Sequence, residues 1–503
     1  MSDSVHTNPL EWTLGDLVER VPALKLQGDP DTRIRGITLD SRSVRPGDLF
    51  AALPGSHFHG IDFIEQAKGH GAAAVFTDEW GASQAKDQPC LIAQQPRDVL
   101  GALSATIFDE PGRTLTLVGV TGTNGKTTVS HLVFSGLRAA GMSTGLIGTA
   151  GIRINDESLP SARTTPEAPE LHSLLAHMRD CGVQAVSMEV SSHALALGRV
   201  DALRFDIAAF TNLSQDHLDF HGSMEEYFRA KSTLFEPSRC ARAVVCVDDV
   251  WGQRLARECT VPVTTVAVLS SDAGKANADV VCTSIDVLPD GSQEVHIRTT
   301  EGEEHAFGVS LPGRFNAANA VLAWTILRLL SVQEADISSS LGSVSVPGRM
   351  EVITSRVPAT VIVDYAHTPD AVERVLESVK VSGRRIVVLG CGGDRDREKR
   401  PHMGRIAASL ADVLIVTDDN PRGEEPSSIR AAMMSGVEAQ HQGRLIEVGD
   451  RREAIERALA MSGVDDVVMV LGKGHESGQE IAGIVYPFDD AEIIRNFSDG
   501  QSL

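Results

Sequence analysis

Lys126 and Thr127 close the run Gly122-Thr-Asn-Gly-Lys-Thr-Thr128, and that set of residues suits a polyphosphate. A glycine turn at the start of a helix aims several backbone N–H groups and the positive helix end at one point. Lys126 adds a mobile cation for the β- and γ-phosphates, and the Thr127 hydroxyl is a ligand for Mg²⁺. Gly122, Thr123, Asn124, Gly125 and Thr128 form the rest of the cradle. The usual spacing would put the first glycine at position 120, which is Val120, so this is a variant P-loop. Other polar clusters are Glu189-Val-Ser-Ser-His193 and Asn212-Leu-Ser-Gln-Asp-His217. Four more lie further along: Asp364-Tyr-Ala-His-Thr-Pro-Asp370, Gly390-Cys-Gly-Gly-Asp-Arg-Asp396, Asp418-Asp-Asn-Pro-Arg422 and Gly472-Lys-Gly-His-Glu476.

The elements that must carry these clusters are legible. Leu115–Val120 is an apolar run before the glycines, and Val129, Leu132, Val133 and Leu137 recur after them at helical spacing. Further buried-strand candidates are Gln184–Val190, Asp206–Phe210 and Ala243–Val247, then Thr360–Val363, Arg385–Leu389, Val413–Val416 and Val467–Leu471. Strands alternating with helices predict mostly parallel sheets covered on both faces, with ligands at the carboxyl ends of the strands. The polar clusters fall at those ends. The fold class is therefore α/β in three domains: an N-terminal α/β domain over 1–110, a central P-loop parallel-sheet domain over 111–345, and a Rossmann-like α/β domain over 346–503. In the first, Arg45-Pro-Gly-Asp-Leu-Phe50 is a turn feeding the strand Leu49–Leu53, and Pro111-Gly112 punctuates its exit.

Composition narrows the function. A chain of 503 residues is too long for one ordinary core. Its 42% hydrophobic and 23% charged content is that of a soluble globular protein. A net charge of −22 with no basic stripe argues against a nucleic-acid partner. No apolar run is long enough to span a bilayer, and the first residues lack the pattern of a secretory signal. Seven cysteines without paired or metal-ligand spacing fit a reducing cytoplasm. Cys391 reads as a small buried thiol.

Taken together, the motifs resemble the Mur ligase family, ATP-dependent amide ligases that build the peptide stem of bacterial cell-wall precursors. The match runs through the whole chain, and Asp419-Asn-Pro-Arg422 is similar to the signature of the branch that adds diaminopimelate. The resemblance implies ATP and Mg²⁺ as cofactors, and UDP-N-acetylmuramoyl-L-alanyl-D-glutamate and meso-2,6-diaminopimelate as substrates. A cytoplasmic monomer is the expectation. Joining a carboxylate to an amine in water is uphill, so γ-phosphoryl transfer to the D-glutamate γ-carboxyl would first make an acyl phosphate.

Roles carry over residue by residue. Lys126, Glu189, His217, Lys231 and Arg349 match the family's catalytic residues, and Thr127, Glu189, His217 and Lys231 its metal-supporting set. Alone, Glu189 reads as a solvated loop carboxylate, His217 as a helix cap and Lys231 as a surface lysine. The family carries at the position of Lys231 a lysine that CO₂ converts to a carbamate, which requires a neutral amine and hence a depressed pKa. Asn316 matches an adenine contact, Arg349 a γ-phosphate contact, and Asp364 and His367 nucleotide contacts from the third domain. Leu39, Ser41, Ser56, His57 and Phe58 align with uridine-binding turns. Thr164, Thr165, Ser191, Leu197 and Arg199 align with contacts to the muramoyl-peptide, Leu197 standing where relatives often have glutamine.

Selection of the amino acid can be reasoned directly. Diaminopimelate differs from lysine by a second carboxylate, and a guanidinium reads that group while being left unpaired by lysine. Arg395 and Arg422 are the candidates; Asp419, Asn420 and Pro421 share the Arg422 turn, and Glu476 with the Gly472 carbonyl suits the distal ammonium. Rival readings are a lysine-adding or D-Ala-D-Ala-adding sibling, a folylpolyglutamate synthetase, a non-catalytic nucleotide-gated binding protein and a motor ATPase. Arg395, Arg422 and Glu476 oppose the siblings, the metal-supporting residues oppose loss of catalysis, and the acidic surface opposes a nucleic-acid motor.

Overall fold

Neighbouring residues of the P-loop strand Thr116–Thr121 face opposite ways, as strand geometry requires. Leu117 belongs to one apolar cluster with Leu171, Val186 and Phe205, while Val118 and Val120 belong to another with Val129, Leu132 and Leu322. A strand buried on both faces must be apolar along its length, which is how this one reads. The computed structural model describes residues 11–55, 58–161, 163–269, 278–288 and 291–497.

Within these residues the chain builds three sheet-centred α/β domains. In the central sheet, parallel strands stand in the order Thr144–Gly148, Ala185–Glu189, Thr116–Thr121, Phe205–Phe210, Cys240–Cys246, Val263–Ala267 and Val280–Val287. Antiparallel strands extend both edges, Gln293–Thr299 and Glu304–Val309 on one side, Gly151–Ile154 and Glu157–Leu159 on the other. The P-loop helix Lys126–Ala139 packs on this sheet beside the helix Arg314–Leu329. They approach closely at Gly136, where a Cβ would meet Leu327 Cδ1 at 2.3 Å. Burying Val129, Leu132, Val133 and Leu137 stabilises this contact by roughly 2 kcal/mol per side chain.

The third sheet runs Glu351–Ile353, Thr360–Asp364, Val467–Leu471, Arg385–Leu389, Val413–Val416 and Leu445–Glu447, all parallel beyond the antiparallel first strand. Alternation is again strict: Val387 and Leu389 enter one core cluster, Ile386 and Val388 the other. Because four strands point the same way, the loops after residues 364, 389, 416 and 471 share one edge. The N-terminal sheet has four parallel strands, Gly36–Thr38, Asp48–Ala51, Ala74–Thr77 and Cys90–Ile92, with Lys25–Gln27 antiparallel beside the last. No helix among the described residues is long and apolar enough to cross a membrane.

Candidate active site

The phosphate cradle is built from backbone that only glycine tolerates. Gly122 has φ 146° and Gly125 φ 87°. A Cβ would stand 1.9 Å from Thr211 Oγ1 at the first and 2.4 Å from Asn319 Oδ1 at the second. The loop is pinned to the turn after the next strand. Asn212 Oδ1 accepts from Asn124 N at 3.0 Å, Thr211 Oγ1 donates to the Asn124 carbonyl at 2.6 Å, and Thr123 N donates to the Asn212 carbonyl at 2.9 Å. No side chain caps the helix start at Gly125, so its first N–H groups face the loop. Lys126 Nζ donates to the carbonyls of Gly122 (3.0 Å) and Thr123 (2.8 Å); burial lowers its pKa, opposed by Glu189 and Asp216.

Glu189 and Lys231 are both 1% exposed. Thr149 holds the Glu189 carboxylate with its N–H (2.8 Å) and hydroxyl (3.2 Å). Lys231 Nζ donates to the Gly122 carbonyl at 2.8 Å and lies 4.7 Å from the centre of the Tyr227 ring. Burial, reinforced by Lys126, holds its amine well below the usual lysine range. His217, at φ 53°, has a ring nitrogen 3.5 Å from Asp216 and packs edge-on to His193. Burial pushes its pKa down to about 4. Among the described residues no three His, Cys, Asp or Glu side chains gather as a metal site. One carboxylate, the Thr127 hydroxyl and a lysine near a phosphate cradle suit Mg²⁺, which keeps waters and takes few protein ligands beside substrate phosphates.

A cavity of about 920 Å³ opens between the P-loop and the third domain, lined by Asn124, Thr127, Asn316, Arg349, Asp364 and His367 among others. Asn316 is fully buried, donating to the Pro312 carbonyl at 2.8 Å and accepting from Asn319 at 3.1 Å. Arg349 donates to Thr127 Oγ1 at 3.0 Å and stacks 4.4 Å over Tyr365. Asp364 accepts from Met350 N (2.7 Å) and Ala366 N (2.8 Å), so its carboxylate fixes the backbone beside Arg349; burial raises its pKa against Arg349 and those two donors. His367 bonds the Tyr365 carbonyl at 2.8 Å.

The shared edge of the third sheet gathers the amino-acid candidates. Arg422, at φ 54°, donates to the Gly393 carbonyl at 2.8 Å and pairs with Glu480 at 3.3 Å. Arg395 is exposed, and the two arginines flank Gly392: a Cβ there would lie 2.9 Å from Arg422 Nη1 and 4.0 Å from Arg395 Cγ. Asn420 Nδ2 donates to Glu476 Oε2 at 2.8 Å. Asp419 is buried, Pro421 lies between it and Arg422, and Gly472 opens the facing turn at φ 111°. The charge run holding Arg395 is partly structural: buried Arg400 grips Glu424 through two nitrogens at 2.8 and 3.0 Å, and Glu424 falls to about 2.

The nucleotide-sugar candidates form two groups. Leu39 and Ser41 follow one N-terminal strand and exposed Phe58 follows its parallel neighbour; Ser56 and His57 lie outside the described residues. Thr164, Thr165, Ser191 and Arg199 meet in the central domain. The Thr149 and Thr164 hydroxyls are 3.0 Å apart, those of Thr165 and Ser191 3.4 Å apart, and Arg199 donates to the Thr165 carbonyl at 3.2 Å. Half-buried Leu197 ends the short helix Ser192–Ala196 beside them. Glu167 ties the groups together, pairing with Arg199 at 2.8 Å and with Arg97 of the N-terminal domain at 2.9 Å.

Sequence reasoning missed Thr149, Glu167, Tyr365, Lys473 and Glu480. Lys473 carried a signal, since it sits inside the glycine turn after Val467–Leu471. The others show themselves only through contacts distant in sequence.

A three-domain α/β architecture with a P-loop facing a second loop-rich sheet edge is the framework of an ATP-dependent ligase. Comparison with known proteins narrows it. The Mur ligase middle domain matches residues 120–327, the Mur ligase glutamate ligase domain 348–474, and the Mur ligase family catalytic domain 33–106. The chain belongs to the Mur ligase family. It is 49% identical over 475 residues to the UDP-N-acetylmuramoyl-L-alanyl-D-glutamate–2,6-diaminopimelate ligase of Streptomyces coelicolor, covering 93% of each chain. With the enzyme of the same name from Streptomyces avermitilis it shares 46% over 499 residues, covering 98% of this chain and 96% of that one. A solved structure of a ligase of this name superposes with a TM-score of 0.64 at 32% identity, covering 92% of this chain and 94% of the other.

Proposed function

We propose that this chain adds meso-2,6-diaminopimelate to the D-glutamate γ-carboxyl of UDP-N-acetylmuramoyl-L-alanyl-D-glutamate, with ATP converted to ADP and phosphate, in the cytoplasm. The P-loop N–H groups and Lys126 hold the ATP phosphates. Asn316 lies where the adenine would rest, and Arg349 with His367 meets the phosphates from the third domain. Arg199 and the Thr164, Thr165 and Ser191 hydroxyls present the D-glutamate carboxylate, and Leu39, Ser41 and Phe58 hold the uridine end. The γ-phosphoryl group passes to that carboxylate; the diaminopimelate amine attacks the acyl carbon, loses a proton, and phosphate leaves. Arg422 and Arg395 take the remote carboxylate, and Glu476 the remote ammonium.

Mg²⁺ would be held by Thr127, Glu189 and a carbamate on Lys231, with His217 near the second position, and supplies neutralisation of charge on the transferring phosphoryl group. The depressed amine of Lys231 supports carbamate formation, because only the neutral amine attacks CO₂.

The observation that supports this reading is a shared sheet edge. The sheet edge that bears Arg422 and Glu476 also sends Asp364 and His367 into the P-loop cavity. On this reading the amine is presented from the same edge that carries nucleotide contacts to the P-loop cavity. The test is product mass: purified protein with ATP, Mg²⁺, the UDP-dipeptide and diaminopimelate is expected to yield the UDP-tripeptide and one ADP per amide. Phosphate release that ignores diaminopimelate, with no tripeptide, would contradict it.

A further inference from the structure

Lys473 is wholly buried, an unusual place for an ammonium group, and its surroundings explain it. Its Nζ donates to Asn420 Oδ1 at 3.1 Å and to Glu476 Oε2 at 3.2 Å, and lies 3.6 Å from Asp419 Oδ1. Three residues of the candidate diaminopimelate pocket, from two different loops, thus converge on one cation. The contacts are directional. Asn420 Oδ1 also accepts from Glu480 N at 3.0 Å, so the carbonyl end of this amide is saturated. Its Nδ2 points to Glu476 Oε2 at 2.8 Å with one N–H left over. Glu476 Oε2 takes both Lys473 and Asn420, while the Glu476 side chain keeps 32% of its surface exposed.

We propose that Lys473 is a positioning residue that sets amino-acid selectivity: it presents Asn420 as a donor and Glu476 as an acceptor to a substrate carrying both carboxylate and ammonium at its far end. The chemistry follows from charge. Asp419 and Glu476 are two carboxylates near one ammonium, and without the cation between them they repel and one swings away. A displaced Glu476 no longer balances an ammonium, and Asn420, freed to flip, turns an oxygen rather than a donor toward a carboxylate. Lys473 itself touches no reacting atom.

The inference rests on the diaminopimelate reading above, so wild-type protein must first saturate with diaminopimelate; if it does not, that reading falls and not this one alone. Given saturation, KM and kcat for each of the three substrates are compared in Lys473→Met and in the Lys473→Met/Asp419→Asn double variant, whose charge is rebalanced and which guards against a folding failure. Expected is a rise in KM for diaminopimelate of roughly ten- to a hundredfold in Lys473→Met, the loss of hydrogen bonds to a charged group. KM for ATP and for the UDP-dipeptide stays within about twofold, and the double variant recovers part of the diaminopimelate KM. Wild-type diaminopimelate KM in folded Lys473→Met overturns the proposal, and so does a uniform rise in all three KM values in the double variant.

Discussion

At the scale of single residues, the site works by taking ordinary side chains out of water. A lysine in a helix reads as a solvated residue, and nothing local to Phe228-Arg-Ala-Lys231 says otherwise. The finding that changes the reading is long-range: Lys231 is 1% exposed and bonded to the Gly122 carbonyl, more than a hundred positions earlier, beside a second cation, Lys126. Two ammonium groups over one glycine loop favour loss of a proton from one of them. Lys231→Ala is expected to lower kcat by roughly a hundredfold or more, the scale of removing a preorganised charge from such a centre. A short carboxylate such as acetate or formate in the assay should restore part of that rate, because it can take the place of the carbamate. Rates in the variant that stay flat across a titration of small acids would count against the carbamate, and undiminished activity would remove Lys231 from the site altogether.

Elements position these residues, and here the sequence was most readable. Apolar runs closed by polar or glycine-rich turns revealed the strands Thr360–Asp364, Arg385–Leu389, Val413–Val416 and Val467–Leu471 to within a residue, because strands buried on both faces leave little else for the chain to be. The strands toward one edge of the central sheet were not read. Val280–Val287, Gln293–Thr299 and Glu304–Val309 mix polar and apolar residues, and their pairing depends on contacts no local pattern records. Two buried histidines show how the elements are locked. His131 of the P-loop helix bonds the Thr127 carbonyl at 2.9 Å, and His172 of the helix Ala168–Asp180 bonds the Asp201 carbonyl at 3.1 Å. Burial pushes both down to about 4 from an ordinary 6.5. A lowered folded-state pKa means each contribution is complete above about pH 6.5 and is lost as the pH falls toward 4, on the order of 3 kcal/mol per histidine. Urea unfolding followed between pH 7 and pH 4 should show that loss, and His172→Gln should make the curve shallower. A curve of unchanged slope in that variant would show that His172 is not one of the groups responsible.

At the scale of the molecule, three domains bring together chemistry that each holds in part. The P-loop, the strand-end clusters and the arginine-bearing turns were legible because each is a short run of special residues after an apolar strand. What was not legible is the joinery between domains. Arg349 reaches Thr127, and Glu167 joins Arg97 to Arg199. Such contacts are products of the fold, and one sequence holds no trace of which distant residues will meet. They make the central claim a claim about geometry: an acyl group activated at the P-loop is captured by an amino acid whose far carboxylate rests on Arg422. The most direct measurement is kcat/KM for meso-diaminopimelate beside that for L-lysine, in the wild type and in Arg422→Ala. The account predicts a preference for diaminopimelate of about a hundredfold or more in the wild type, most of it lost in the variant through KM for diaminopimelate, with nucleotide binding intact. Equal use of the two amino acids by the wild type, or an undiminished preference in Arg422→Ala, would contradict it.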